Sequence, residues 1–200
     1  MKLKFVYTEE TELENVRGII KNFEQYKDDY PIYRLPEGIT PKTNPKNIKI
    51  IKTQILAEMN VERIETAKQK IMNDWNANQD LISKFFDNFP YPAPKVMTVR
   101  LSRYGSGSSY FPWQPFYVTI LVSSIRNLAE SVIHETIHCL IEKPVIVKHH
   151  FDHPAKEGLV DWWLLNNKYL RQIFPEYVSK PPSILPSKKV ITELGWDKFI

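Results

Sequence analysis

The spacing of apolar positions changes along the chain and separates helical from extended segments. Residues 2–7 fit a short strand, and over residues 12–26 apolar side chains recur every three or four positions, which predicts a helix. Regular structure is then interrupted by Pro31, Pro36, Pro41 and Pro45. The helical period returns over residues 48–89, with an irregular step near Asn78. This segment is predicted to form two helices or one long bent helix.

A proline-rich segment at residues 88–94 ends the helical part, and the period beyond it changes to two. Apolar and polar residues alternate over residues 97–101 and again over 116–122, which predicts two half-buried strands forming a hairpin. The glycine- and serine-rich run at 105–109 lies between them. It lacks the lysine and the spacing of a phosphate-binding loop, so it is predicted to be a connection.

Two more helices are predicted after the strands. The first begins near Ser123 or Ser124, because either hydroxyl can cap free backbone N–H groups, and it runs to about residue 142, before Pro144. A short apolar segment and three histidines follow. Pro154 then suits the first turn of a second helix, which reaches about residue 167.

These elements predict an α+β fold in one domain spanning residues 1–200. Residues 1–94 form a mainly helical part that braces the rest, residues 95–180 hold the sheet and the two later helices, and residues 181–200 form a tail. We expect a small, twisted, mostly antiparallel sheet packed on the helix at 124–142. The tail carries too many apolar side chains to remain solvated, so it is predicted to pack back on the domain.

Composition is that of a folded protein, with 42% hydrophobic and 25% charged residues. The net charge of +4 is too small to indicate a nucleic-acid partner, and the densest basic stretch is interpreted as a solvated face. It consists of Lys42, Lys46, Lys49 and Lys52.

Cys139 is the only cysteine, which excludes an intrachain disulfide and a cysteine-rich zinc module. The N-terminus lacks the apolar region of a secretory signal, and no stretch approaches the roughly 20 apolar residues of a membrane span. A soluble, cytoplasmic protein without a membrane partner is expected.

The chemistry-bearing motif is His134-Glu-Thr-Ile-His138, an HExxH sequence. Four-residue spacing on a helix places both imidazoles on one face, one turn apart, where both can reach a single cation. A catalytic Zn²⁺ site needs a third protein ligand, and the glutamate beside the first histidine, Glu135, can act as general base. Ile141 and Pro144 stand where the metzincin arrangement has a glycine and a histidine, so that class is excluded.

Glu157 follows the motif after eighteen intervening residues, and Asp161 comes one helical turn later. This arrangement resembles the gluzincin clan of zinc metallopeptidases over residues 134–161. The resemblance implies a zincin-like fold, zinc ligands His134, His138 and Glu157, and Asp161 as an acceptor for a histidine N–H. It also implies a peptide or protein substrate, bound by strand addition along one strand of the sheet.

The chain departs from well-known members of the clan in two respects. It lacks the GxMEN exopeptidase motif, and no histidine follows Glu157 to stabilise a transition state. Candidates for that second role are Tyr169, Tyr177, His149, His150 and His153.

Three alternatives remain at this point. In the first, the third ligand is one of His149, His150 and His153, as in SprT-like proteases that act near DNA. In the second, the site belongs to a zinc-stabilised interaction module without turnover, and in the third, the protein is a basic nucleic-acid binder.

Overall fold

In a computed structural model of the protein, the described residues are 1–26, 33–113, 115–123, 127–179 and 181–199. They form a mixed α+β fold with eight α-helices and one four-stranded sheet. The predicted break at Pro31, the alternative cap Ser124 and the terminal Ile200 lie outside the described residues. Within the described ranges, no helix is both long and apolar enough to cross a membrane.

The strands are β1 Lys2–Val6, β2 Val96–Ser102, β3 Ser109–Phe111 and β4 Tyr117–Leu121. The helices are α1 Glu9–Tyr26, α2 Ile48–Glu58, α3 Val61–Ala77, α4 Gln79–Asp87, α5 Leu128–Ile141, α6 His153–Asn166, α7 Lys168–Ile173 and α8 Lys188–Glu193.

The N-terminal predictions for the first strand and helix are confirmed by β1 and α1. The segment 48–89, predicted as one or two helices, contains three, because asparagines interrupt it twice. Asn60 caps α3 by accepting a hydrogen bond from the Arg63 N–H at 2.8 Å. Asn78 lies between α3 and α4 and its amide donates to the Asp74 carbonyl at 2.9 Å. Asparagine side chains that bond to nearby backbone groups favour helix ends over helix interiors.

The sheet has the order β1-β2-β4-β3. β1 and β2 are parallel, β2 and β4 are parallel, and only β3 is antiparallel to its neighbour β4. The expectation of a mostly antiparallel sheet with a hairpin over 97–122 is therefore wrong. Residues 103–116 are long enough for the crossover that parallel strands need, and they contain β3, which the sequence pattern missed.

Both faces of the sheet are covered, as parallel strands require. On one face, Met97, Val99 and Leu101 are buried in the main core, with α3 and α5 packed on β2 and β4. On the other face, α1 contacts β2 through an ion pair between Arg100 and Glu14 at 2.7 Å.

The helix α5 begins later than predicted. Its cap is Asn127, whose Oδ1 accepts from the Ala129 N–H at 2.9 Å, while Ser123 lies in the preceding turn. The chain also continues past Pro144 as a π-helix, Glu142–Val147, where a helix end was predicted. A proline ring crowds the carbonyl four residues earlier in an α-helix, which accounts for the change to the wider π geometry at this point.

The C-terminal tail packs on the domain over its described residues, as predicted. Ile191 of α8 and Trp196 are buried in the main core. The Trp196 ring lies 5.1 Å from the ring of Trp163 and 5.9 Å from that of Trp162, both of α6. The tail therefore completes the core beside the second of the two later helices.

Candidate metal centre

The helix α5 carries the two histidines of the HExxH motif on a buried face. His134 is 3% exposed and His138 is 1% exposed. Their rings lie 4.8 Å apart and their Nε2 atoms 3.1 Å apart, as the one-turn spacing predicts. All residues of this helix except Glu130 are buried, so the motif faces the interior and not bulk solvent.

The helix α6 brings Glu157 to the same point. Its side chain lies in the first turns of the helix, whose cap Asp152 accepts from the Ala155 N–H at 2.9 Å. Glu157 Oε2 is 3.2 Å from His134 Nε2, and Oε1 is 3.2 Å from His138 Nε2. The third residue of the predicted ligand set is therefore placed between the two imidazoles.

The spacing of these three side chains fits a metal ion. One ligand atom from each of His134, His138 and Glu157 lies within 4.8 Å of the others. Atoms bound at about 2.0–2.2 Å to a tetrahedral zinc ion lie roughly 3.3–3.6 Å apart, close to the separations seen here. Such a group of buried donors could hold a cation with little rearrangement.

The charge states of the side chains also suit a metal. Burial lowers the pKa of the His138 imidazole to about 4, so the ring is neutral at pH 7. Burial raises the pKa of Glu157, but the electrostatic interactions and hydrogen bonds with His138 and His134 lower it by more, so that the net pKa lies below the ordinary 4.5. Neutral imidazole and ionised carboxylate are the forms that coordinate metals.

Glu135 faces a cleft beside the three possible ligands. Its side chain is 8% exposed. The cleft has a volume of about 800 Å³ and is lined by residues of α1, of the sheet, and of α5 and α6. Its walls near the site include Tyr110, Trp113, Lys156 and Pro182.

Asp161 lies beside His134, but it is held differently from the prediction. The carboxylate is 1% exposed, and its Oδ1 is 3.9 Å from His134 Nδ1, a distance of ionic contact and longer than a hydrogen bond. The Tyr177 hydroxyl donates to Oδ1, and the Ser179 hydroxyl donates to Oδ2 at 2.6 Å. The sequence motif indicated the neighbour of His134 but not these two donors.

The histidines considered as alternative ligands occupy other positions. His149 and His150 are exposed. His153 lines the cleft, and its Nδ1 is 3.7 Å from Glu157 Oε1. Within the part of the chain that the structure describes, the group able to hold a metal contains Glu157 and none of these three histidines. Tyr169, a candidate for stabilising the transition state, is partly buried against the main core.

Sequence reasoning missed Tyr110 and its partner Glu142. The Tyr110 ring stacks on the His138 ring at 4.8 Å with an interplanar angle of 5°. Its hydroxyl donates to Glu142 Oε2 at 2.6 Å, and burial together with Glu142 raises its pKa, so it stays protonated. Tyr110 was missed because β3 has only three residues, too few for a periodic pattern. Glu142 follows His138 by one helical turn, and this spacing was the signal that could have identified it.

Comparisons of the chain with models of known protein families, with curated proteins and with solved structures give no match.

Proposed function

We propose that the protein is a zinc-dependent metallopeptidase of the gluzincin type with a zincin-like fold. The observation that carries this proposal is the convergence of His134, His138 and Glu157 beside a cleft that Glu135 also faces. Two histidines and one carboxylate form the donor set of catalytic zinc sites that keep a fourth position open.

The three ligands would hold the ion, and Glu135 would act as the general base. Zinc bound there supplies Lewis acidity towards a peptide carbonyl and lowers the pKa of a coordinated water to about 7. The Glu135 carboxylate would accept a proton from the attacking water and return it to the leaving amine. Its burial keeps this carboxylate away from bulk solvent.

The edge of the sheet supports a peptide or protein substrate. β3 is the end strand in the sheet order, and it packs against α5 beside the metal ligands. An extended peptide that adds to this edge would run along the cleft past Glu135. We therefore assign the strand-binding role, which the sequence left open, to β3.

The alternative of a SprT-like site differs in its third ligand. His153 lies close to Glu157, with its Nδ1 3.7 Å from Oε1, so an experiment must distinguish these two residues as third ligand. For a zinc-stabilised interaction module without turnover, the loss of Glu135 should alter neither folding nor any activity.

The test separates metal binding from chemistry. Glu135→Gln should retain about one zinc per chain and lose hydrolysis of fluorescein-labelled unfolded casein by about 100–10,000-fold, because the proton acceptor is gone. Glu157→Ala should lose zinc affinity, with activity falling alongside occupancy. Glu130→Gln, on the same helix but outside the ligand group, is the matched control and should behave like wild type.

Each alternative has its own outcome. If Glu157→Ala binds zinc like wild type while His149→Ala or His153→Ala does not, the gluzincin assignment is wrong. If wild type binds zinc and shows no Glu135-dependent hydrolysis, the non-catalytic module is favoured.

A further inference from the structure

Residues 177–179 and 181–184, here called the strap, lie against α6 next to the candidate metal centre. Its first residues hold Asp161 from both sides, because the Tyr177 and Ser179 hydroxyls donate to different carboxylate oxygens. Its prolines, Pro181 and Pro182, line the cleft. The strap therefore touches both the cleft and the carboxylate that faces His134.

Asp161 depends on the strap for its orientation. A carboxylate this deeply buried is costly unless donors satisfy its oxygens, and the strap supplies a hydroxyl to each. With both oxygens held, Oδ1 stays on the side of His134 Nδ1, at 3.9 Å. A carboxylate beside the distal nitrogen of a ligating imidazole orients that ring and raises its basicity.

The backbone of the strap is also seated on the first turns of α6, on either side of Glu157. The Ile184 N–H donates to the Pro154 carbonyl at 3.0 Å. A Cβ added to Gly158 would lie 1.7 Å from the Ile184 carbonyl oxygen, an overlap that requires the strap to move. Glycine at 158 is therefore needed for the strap to approach the helix that carries Glu157.

We propose that Tyr177 and Ser179 are positioning residues of the metal centre that act through Asp161 on His134, so that zinc affinity and docking of the strap are coupled. This inference rests on the metal-binding role proposed above. Coupling is reciprocal: if the docked strap favours zinc binding, bound zinc must favour the docked strap to the same extent.

The first experiment measures zinc affinity by competition with a chelating indicator. The double variant Tyr177→Phe/Ser179→Ala should bind zinc roughly tenfold more weakly than wild type, at the lower end of the range for such supporting groups. The visible spectrum of the cobalt-substituted protein should shift as well, because the geometry of the His134 ligand changes. Two controls, Tyr169→Phe and Ser187→Ala, remove hydroxyls of α7 and of the α8 cap without touching Asp161.

A double-mutant cycle distinguishes positioning from a general loss of stability. In an Asp161→Ala background, removal of the Tyr177 and Ser179 hydroxyls should leave zinc affinity unchanged, since they act through that carboxylate. An equal further loss in that background would overturn the inference. If wild type itself binds no zinc, the proposed function fails; if wild type binds zinc and the double variant binds it equally well, the positioning role alone fails.

The reciprocal effect can be measured in the wild-type chain, so it does not depend on any variant folding. Hydrogen exchange of the Ile184 amide should slow about tenfold on addition of zinc, matching the affinity change. The Ile39 amide, bonded to the Pro36 carbonyl in the N-terminal part, serves as the control and should change less. Equal slowing at both amides would contradict coupling through the strap.

Discussion

At the scale of single residues, the two histidines of the motif are oriented in different ways. His134 has Asp161 beside its Nδ1. His138 Nδ1 is buried and, within the described residues, meets no hydrogen-bond partner. On that side the Tyr110 ring is stacked on the imidazole and is anchored through its hydroxyl to Glu142.

Replacement of Tyr110 should therefore affect zinc affinity according to the ring that remains. Tyr110→Phe keeps the stacking and should bind zinc nearly as wild type does. Tyr110→Leu should weaken binding about 2–12-fold, the equivalent of the 0.5–1.5 kcal/mol typical of an aromatic pair. Phe111→Leu, on the same strand but stacked on Tyr117, is the control in the same competition assay. Wild-type affinity in Tyr110→Leu would show that the stack does not orient the ligand.

A second buried carboxyl, Glu12 of α1, is not part of the candidate metal centre and affects stability. It accepts hydrogen bonds from the Ser102 hydroxyl and the Arg103 N–H. Burial nevertheless raises the pKa of Glu12 above its ordinary 4.5. The folded state then binds this proton more tightly than the unfolded state, so the stabilising effect is complete below pH 4.5 and is lost as the pH rises through the folded pKa.

The variant Glu12→Gln has no proton to lose at this position. The free energy of unfolding of wild type, measured by urea denaturation and compared with that of Glu12→Gln, should fall as the pH is raised from below 4.5 to neutrality. A difference that is constant or grows with pH would contradict the raised pKa.

At the scale of elements, α5 has an asparagine cap and is buried along almost its whole length. Its apolar side chains lie in the main core, and Ser131, His134 and Glu135 line the cleft. The helix begins at Leu128 because Asn127 accepts from the first free backbone N–H groups.

The cap can be tested against the one that the sequence suggested. Asn127→Ala should lower the free energy of unfolding by about 1 kcal/mol, whereas Asn127→Ser should change it little, because serine can accept the same bonds. Ser123→Ala should stay within about 0.5 kcal/mol of wild type. A larger loss in Ser123→Ala than in Asn127→Ala would place the functional cap at the serine.

The strands show why element directions could not be predicted as well as element positions. Alternation over 97–101 identified β2, and Val118 and Ile120 of β4 are fully buried as the same pattern implied. Alternation reports which face is buried and carries no information on whether neighbours run parallel or antiparallel. The pairing direction depended on the path of residues 103–116.

At the scale of the whole molecule, the tail belongs to the main core. Trp196 is 0% exposed and packs with Trp162 and Trp163, two residues of the helix that carries Glu157. This supports completion of the core by the tail. The strap joins this tail to the metal centre.

Loss of Trp196 should destabilise the whole chain. Trp196→Ala removes a fully buried ring and should lower the free energy of unfolding by about 3–5 kcal/mol in urea denaturation. Lys198→Ala, at an exposed neighbouring position, should stay within about 0.5 kcal/mol of wild type. Equal, small effects of both changes would show that the tail contributes little to the fold.

The sequence by itself determined the local part of the site. Helical periodicity places His134 and His138 one turn apart whatever the rest of the chain does, and the resemblance singled out Glu157 and Asp161 from their spacing to the motif. The first inference concerns two residues within one helix. The second rests on the sequence separation between the motif and the two carboxylates, which the resemblance supplies.

Only the tertiary structure decided how these helices meet and what supports them. Packing of α6 against α5 brings Glu157 within 3.2 Å of both imidazoles. Tyr110 comes from a three-residue strand, and Tyr177 and Ser179 come from an irregular segment, so neither contribution leaves a periodic signal in the sequence. Contacts between residues distant in sequence depend on how the whole chain packs, because weak local preferences select one structure only when they agree with the packing of the core.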